Sequence, residues 1–246
     1  MRCAASGGVS RRPTWRNGRH KVRKLVITID GPAGSGKSTT AKLVARRLGY
    51  TYLDTGAMYR AMAVKALRAG IDPGDLEGLA RLAETTEIDV KTLADGTRVL
   101  LDGEDVTIHL RGPDVTQASS PVSAVPAVRE RMVELQRRIG SGGGIVAEGR
   151  DMGSVVFPGA DVKIYLSASL RCRAERRRSE LAACGEKASL AAVEEDIRRR
   201  DVRDSSREHS PLVVPQGAIE VDTTDLTIEE QVERVLDEVS KAVSRT

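Results

Sequence analysis

The chain has 246 residues, 40% hydrophobic and 30% charged, enough to bury one full core and balanced as globular proteins are. No apolar run approaches the roughly 18 residues of a membrane span, which excludes a membrane-spanning helix. The formal net charge of +4 invites a nucleic-acid reading, but eight Arg and Lys and no acid fall within residues 1–24, and with those eight set aside +4 becomes −4.

The rest of the composition points the same way. One Phe, one Trp and four Tyr are too few for the stacking platforms of single-strand binders, and Trp15 lies in the basic leader. Cys3, Cys172 and Cys184 form neither a C-x-x-C pair nor a zinc spacing, so neither a disulfide framework nor a metal centre is indicated and a reducing cytoplasm is expected. His20, His109 and His209 share no motif.

Residues 1–23 mix Gly, Ser, Arg and Pro without apolar periodicity. They read as a disordered tail or as a start assigned too far upstream, with an organelle transit peptide or a nucleic-acid arm as alternatives. Residues 24–246 are expected to form a single domain.

From Leu25 the run LVITID is short, β-branched and followed at once by glycines, the pattern of a buried parallel strand. Lys37 to Leu48 continues as a helix that Gly49 is suited to end. Between Ile88 and Thr107, Asp95-Gly96 and Asp102-Gly103 punctuate three strand-like pieces about Asp89-Val90, Val99-Leu101 and Val106, a small antiparallel meander hung on the core. Val125, Val128, Met132, Leu135 and Ile139 recur at helical spacing, leaving Arg129 off the core-packing face. The apolar runs at 144–148, 162–166 and 218–221 are further strands, alternating with helical stretches, which argues for an α/β protein with a parallel sheet covered by helices. The last helix opens on the capping box Thr227-Ile228-Glu229-Glu230 and carries Ile228, Val232, Val235 and Val239 along one stripe.

Between the first strand and first helix stands Gly31-Pro32-Ala33-Gly34-Ser35-Gly36-Lys37-Ser38, followed by Thr39, which fits G-x-x-x-x-G-K-[ST] in the strand–loop–helix context that gives the pattern meaning. The glycines let successive amides converge on phosphate oxygens at the positive end of a helix. Lys37 is expected to reach the β- and γ-phosphates of ATP, and Ser38 to offer its hydroxyl to Mg2+, with phosphates and water completing the shell. A nucleotide-triphosphate cradle does not name the reaction. No N-K-x-D guanine-reading motif and no transport-ATPase signature occur; arginines abound downstream instead. A kinase whose acceptor is itself a phosphate must hold two anions together, which guanidinium forks do, and its acceptor oxygen is already ionised, so no general base is required.

Three further segments carry a resemblance: Leu53-Asp54-Thr55-Gly56-Ala57-Met58-Tyr59-Arg60, Glu148-Gly149-Arg150-Asp151-Met152-Gly153 and Arg200-Asp201-Val202-Arg203-Asp204-Ser205-Ser206-Arg207. With Ile29-Asp30-Gly31-Pro32 they resemble the bacterial cytidylate kinases over nearly everything from Leu25 onward. The resemblance implies a P-loop kinase core with a five-stranded parallel sheet, an acceptor-binding insert at about 86–128 and an Arg-rich helical lid at about 171–212. It also implies transfer of the γ-phosphoryl of ATP to CMP or dCMP by a cytoplasmic monomer that binds small nucleotides, with no nucleic-acid or membrane partner.

By the same resemblance Thr55, Arg60, Arg150 and Arg207 hold the acceptor phosphate, Arg200 and Asp204 lie near the ribose, and Ser120, Arg129 and Asp151 read the base, with Lys37, Arg150, Arg200 and Arg207 as the catalytic charges. The spacing of Arg200, Asp204 and Arg207 at i, i+4 and i+7 permits one helical face to present all three. An ionised Asp can only accept, and so suits the 4-amino group of cytosine over the carbonyl of uracil. Plainer roles stay open: a helix N-cap for Asp151, a loop serine for Ser120, and solvated faces for Arg198, Arg199 and Arg176 to Arg178. The sequence departs from the family pattern at Thr55, where serine is expected, and at Glu148, where aspartate is expected; Glu148 can serve magnesium through water or serve structure alone. The alternatives are a P-loop kinase of another monophosphate or small metabolite, and a nucleic-acid-binding regulator that uses the basic leader.

Overall fold

The computed structural model describes residues 24–93, 96–183, 185–207 and 210–244. The expectations for residues 1–23, for Asp95, Cys184 and His209 therefore lie outside the described residues.

Five parallel strands run in the order β2-β6-β1-β7-β8. They are β1 (Val26–Asp30), β2 (Thr51–Asp54), β6 (Ile145–Gly149), β7 (Val162–Ser167) and β8 (Ile219–Asp222). The hydrophobic runs follow position in the sheet: β6 is buried at every residue and β1 at four of five, while β8 at one edge buries Val221 alone. A central strand of a parallel sheet is covered on both faces and reads as continuous apolar sequence. β2 escapes that pattern because it is an edge strand with a single buried residue, Leu53.

Helices cover both faces. On one, α1 (Lys37–Leu48) and α8 (Ile228–Ser244) pack with Val44, Val232 and Val235 against Ile27, Ile29 and Ile164. On the other, α2 (Thr55–Arg68), α3 (Leu76–Glu84), α4 (Pro113–Val122) and α5 (Pro126–Gly140) bury Met58, Met62, Leu79, Met132 and Leu135. The capping box at Thr227 closes in both directions: the Glu230 amide donates to the Thr227 hydroxyl and the Thr227 amide to the Glu230 carboxylate.

The meander is β3 (Ile88–Leu93), β4 (Gly96–Leu101) and β5 (Glu104–Asp105), antiparallel and in that order. Its third piece is Glu104–Asp105 rather than Val106, which follows the strand and is buried. Asp102 and Gly103 both take positive φ, the two-residue turn that joins twisted strands. α6 (Leu170–Ala183) and α7 (Leu190–Ser205) form a separate pair around Ala174, Val193 and Ile197.

Candidate active site

The carboxyl ends of β1, β2 and β6 meet at one cleft of about 300 Å³. In an open parallel sheet this is where connections part and leave room for ligand.

The cradle forms one wall. Gly31, Gly34 and Gly36 all have positive φ, and a Cβ at Gly31 would stand 2.1 Å from the Leu166 carbonyl oxygen, so no other residue fits there. Lys37 is buried, its Nζ donating 3.0 Å to the Pro32 carbonyl. Burial first, and the Arg150 charge second, press its pKa down to about 8. Ser38 and Thr39 are exposed at the start of α1, and of the two Ser38 reaches the cleft. Arg173 braces the cradle from α6: Nη1 donates to the Ala33 carbonyl and to Asp201 on α7. Arg176, expected in solvent, instead donates to the Thr223 carbonyl at 2.6 Å and to that of Gly34. Arg177 does lie in an exposed pair with Glu180.

The opposite wall is cationic. Asp204, buried at the end of α7, accepts from Arg150 Nε at 2.7 Å and from Arg207 Nη2 at 2.5 Å, tying together two arginines that would otherwise repel. Arg207 sits just past the helix end rather than on its face. Arg60 pairs with Asp54, which also caps α2 by accepting from the Ala57 amide. Arg60 Nε and Arg129 Nε are buried without hydrogen-bond partners, and both residues line the cleft, where a ligand can supply an acceptor.

Between the walls lies a buried ion pair. Arg129 Nη2 donates to Asp151 Oδ2 at 2.6 Å, and the guanidinium also lies 5.6 Å from the centre of the Tyr59 ring. Arg129, expected off the core-packing face of α5, is instead buried with Met132 and Gln136 on its inner side, because Asp151 supplies the charge that makes burial tolerable. Asp151 occupies the N-cap position of a π-helical turn, Met152–Val156, but its side chain makes no capping bond, so the plain N-cap reading does not hold.

Glu148, buried at the end of β6, accepts from the Tyr52 hydroxyl at 2.9 Å. Burial and neighbouring Asp54 raise its pKa, opposed by Lys37 and by hydrogen bonds from Ser38 and Tyr52. The Thr55 hydroxyl donates to the Glu148 carbonyl at 2.8 Å, a bond serine could equally make.

The family model for cytidylate kinase matches residues 27–241. The chain belongs to the cytidylate kinase family. It is 53% identical over 216 residues to the cytidylate kinase of Symbiobacterium thermophilum, covering 87% of this chain and 96% of that one. It is 50% identical over 214 residues to that of Mycolicibacterium paratuberculosis, covering 87% and 94%. Against that of Geobacillus kaustophilus it is 48% identical over 221 residues, covering 90% and 99%.

Of the residues expected in the site, the cleft gathers Lys37, Ser38, Thr55, Arg60, Arg129, Arg150, Asp151, Asp204 and Arg207. The cradle residues Gly31 to Gly36 and Thr39 stand outside its lining, as do Arg200 and Ser120. Arg200 turns back along α7 to pair with Asp196 one helical turn away. Ser120 accepts from Arg203 Nη1, linking α4 to α7, while Ser119 and Ser123 line the cleft on the same helix end. The i, i+4, i+7 face is not continuous, because α7 ends at Ser205 and Arg207 reaches the cleft from beyond the helix. Tyr59, Asp54 and Glu148 also line the cleft; Tyr59 and Asp54 carried no sign in the sequence beyond standing inside the family segment.

Proposed function

We propose that the chain transfers the γ-phosphoryl group of ATP to CMP or dCMP. The observation that carries this reading is the buried Arg129–Asp151 pair facing a cleft walled by the cradle on one side and arginines on the other. Asp151 presents only acceptors, so it favours the 4-amino donor of cytosine; uracil would set a carbonyl against a carboxylate, at a cost of about 1–3 kcal/mol or more where water is excluded. Arg129 fixes the carboxylate and Tyr59 fixes Arg129.

The donor phosphates lie over the amides of Gly31 to Ser38, where Lys37 leaves the Pro32 carbonyl for the β- and γ-oxygens. Arg60, Arg150 and Arg207, with the Thr55 hydroxyl, hold the acceptor phosphate, and the unmatched Nε of Arg60 gains a partner there. Asp204 keeps Arg150 and Arg207 converged. The acceptor phosphate is ionised near neutral pH, so transfer in line needs alignment and charge neutralisation but no base.

The donor set suits Mg2+: one exposed hydroxyl, Ser38, beside one buried carboxylate, Glu148, are hard oxygens, few enough to leave room for phosphate and water. Ser38 directly, and Glu148 through water, would hold the ion, which when bound would neutralise phosphate charge.

We read β3 to β5 with α4 as the acceptor-binding insert and α6 with α7 as a lid that closes over both nucleotides, which brings Arg200 and Ser120 nearer to the acceptor than they stand here. We infer a reducing cytoplasm from the cysteine content and the lack of a nucleic-acid partner from the scarce aromatics, while a monomer is what the family resemblance implies. A coupled assay with CMP, dCMP, UMP and AMP tests the reading: CMP and dCMP are expected to be turned over in clear preference, and equal use of all four defeats it. Deleting residues 1–23 should leave that activity unchanged.

A further inference from the structure

Asp30 immediately precedes the cradle on β1 yet points away from it. Its carboxylate is fully buried and accepts from the next connection of the sheet: Oδ1 from the Met152 amide and Oδ2 from the Gly153 amide, both at 2.8 Å. These amides open the π-helical turn Met152–Val156 and are the groups that an N-cap side chain normally satisfies. The residue at the cap position, Asp151, makes no such bond; its carboxylate turns to Arg129 instead. One turn therefore has two aspartates, and the one distant in sequence does the capping.

We propose that Asp30 is a positioning residue for acceptor selection: by capping the Met152–Val156 turn from β1, it leaves the Asp151 carboxylate free to face the cleft. It also fixes the Arg150–Asp151 segment relative to the cradle, one residue from Gly31. This inference rests on the reading of Asp151 as the group that recognises cytosine.

A carboxylate is required for both tasks at once. It offers an acceptor to each amide, whereas an asparagine offers one acceptor and sets an N–H against the other donor. The turn is closely packed at the same point, since a Cβ at Gly153 would stand 3.0 Å from Pro215 Cγ and from Thr28 Oγ1. Burial pushes the Asp30 pKa up while the two amide bonds and Lys37 hold it down, so the charge is retained at neutral pH by the bonds it makes. Without the cap the two amides are orphaned, and Asp151, which stands at the cap position, is free to turn to them and leave Arg129.

The test compares the full-length wild type with D30N, D30S and D151N, measuring kcat and KM for CMP, UMP and ATP and the thermal unfolding of each. D30N is expected to lower the ratio of kcat/KM for CMP over UMP by about tenfold, chiefly through KM for CMP, with KM for ATP changed less than about twofold. D30S, smaller and uncharged, is expected to act in the same direction and decides the matter if D30N does not fold. If D151N shifts the ratio while D30N and D30S leave it unchanged, Asp30 does not position the reader and the reading of Asp151 stands. If D151N leaves the ratio unchanged, that reading fails and the role of Asp30 falls with it. Failure of both Asp30 variants to fold, or an equal loss of CMP, UMP and ATP use, also overturns the proposal, because Asp30 then serves the fold as a whole.

Discussion

Arg129 and Asp151 meet across 2.6 Å with both side chains 6% exposed, so neither charge has an alternative partner in water. Removing one member of such a pair strands the other. Arg129→Ala is expected to destabilise the chain by about 3 kcal/mol and to raise KM for CMP, because the Asp151 carboxylate is then left buried without its partner. Chemical denaturation and steady-state kinetics check this; a variant as stable as wild type with unchanged KM would remove the pair from the site.

Asp151→Asn keeps the shape and adds a donor. The amide can serve the carbonyl of uracil as well as the amine of cytosine, so the preference for CMP over UMP should narrow by about tenfold or more while KM for ATP stays level. An unchanged preference ratio takes Asp151 out of base reading.

Lys37 is a base whose pKa is depressed, from near 10.5 to about 8, by burial and by Arg150. It is charged below that value and loses its charge as pH rises through it. The value of kcat/KM for ATP, which reports the free enzyme, should therefore fall above about pH 8, and Lys37→Ala should lower turnover by about 10³-fold or more. A profile flat to pH 10.5, or near-normal activity without the amine, contradicts the cradle assignment.

Asp30 titrates in the opposite sense. Burial raises its pKa from 3.8 to about 6, so the folded chain holds this proton longer than the unfolded chain. Its contribution to stability is most favourable below pH 3.8 and declines as pH rises toward about 6. Wild type should therefore lose roughly 1 kcal/mol relative to D30N between about pH 5 and pH 7, measured by urea denaturation. A difference independent of pH would show that the carboxylate is not buried as described.

The sequence made the cradle legible because its constraint is local: three glycines and a lysine must follow one another on the chain. The buried strands β1, β6 and β7 were legible from apolar runs, and α8 from its cap and stripe, for the same reason. β2 lacked a run of its own because an edge strand needs only one buried side. The burial of Arg129 depends on Asp151, 22 residues on, and the orientation of Asp151 depends on Asp30, 122 residues back from the turn it caps. No periodicity records such partnerships. Arg200 and Ser120 were named by resemblance; here Arg200 pairs with Asp196 one turn away, as opposite charges at that helical spacing do, and Ser120 accepts a hydrogen bond from Arg203 on α7.

The most direct test of the account is a crystal structure of the chain with CMP and a non-hydrolysable ATP analogue. The account predicts the cytosine 4-amino group within hydrogen-bond distance of Asp151, the CMP phosphate among Arg60, Arg150 and Arg207, and the analogue's phosphates over Gly31 to Ser38. A pyrimidine ring bound away from Asp151 and Arg150 would contradict it.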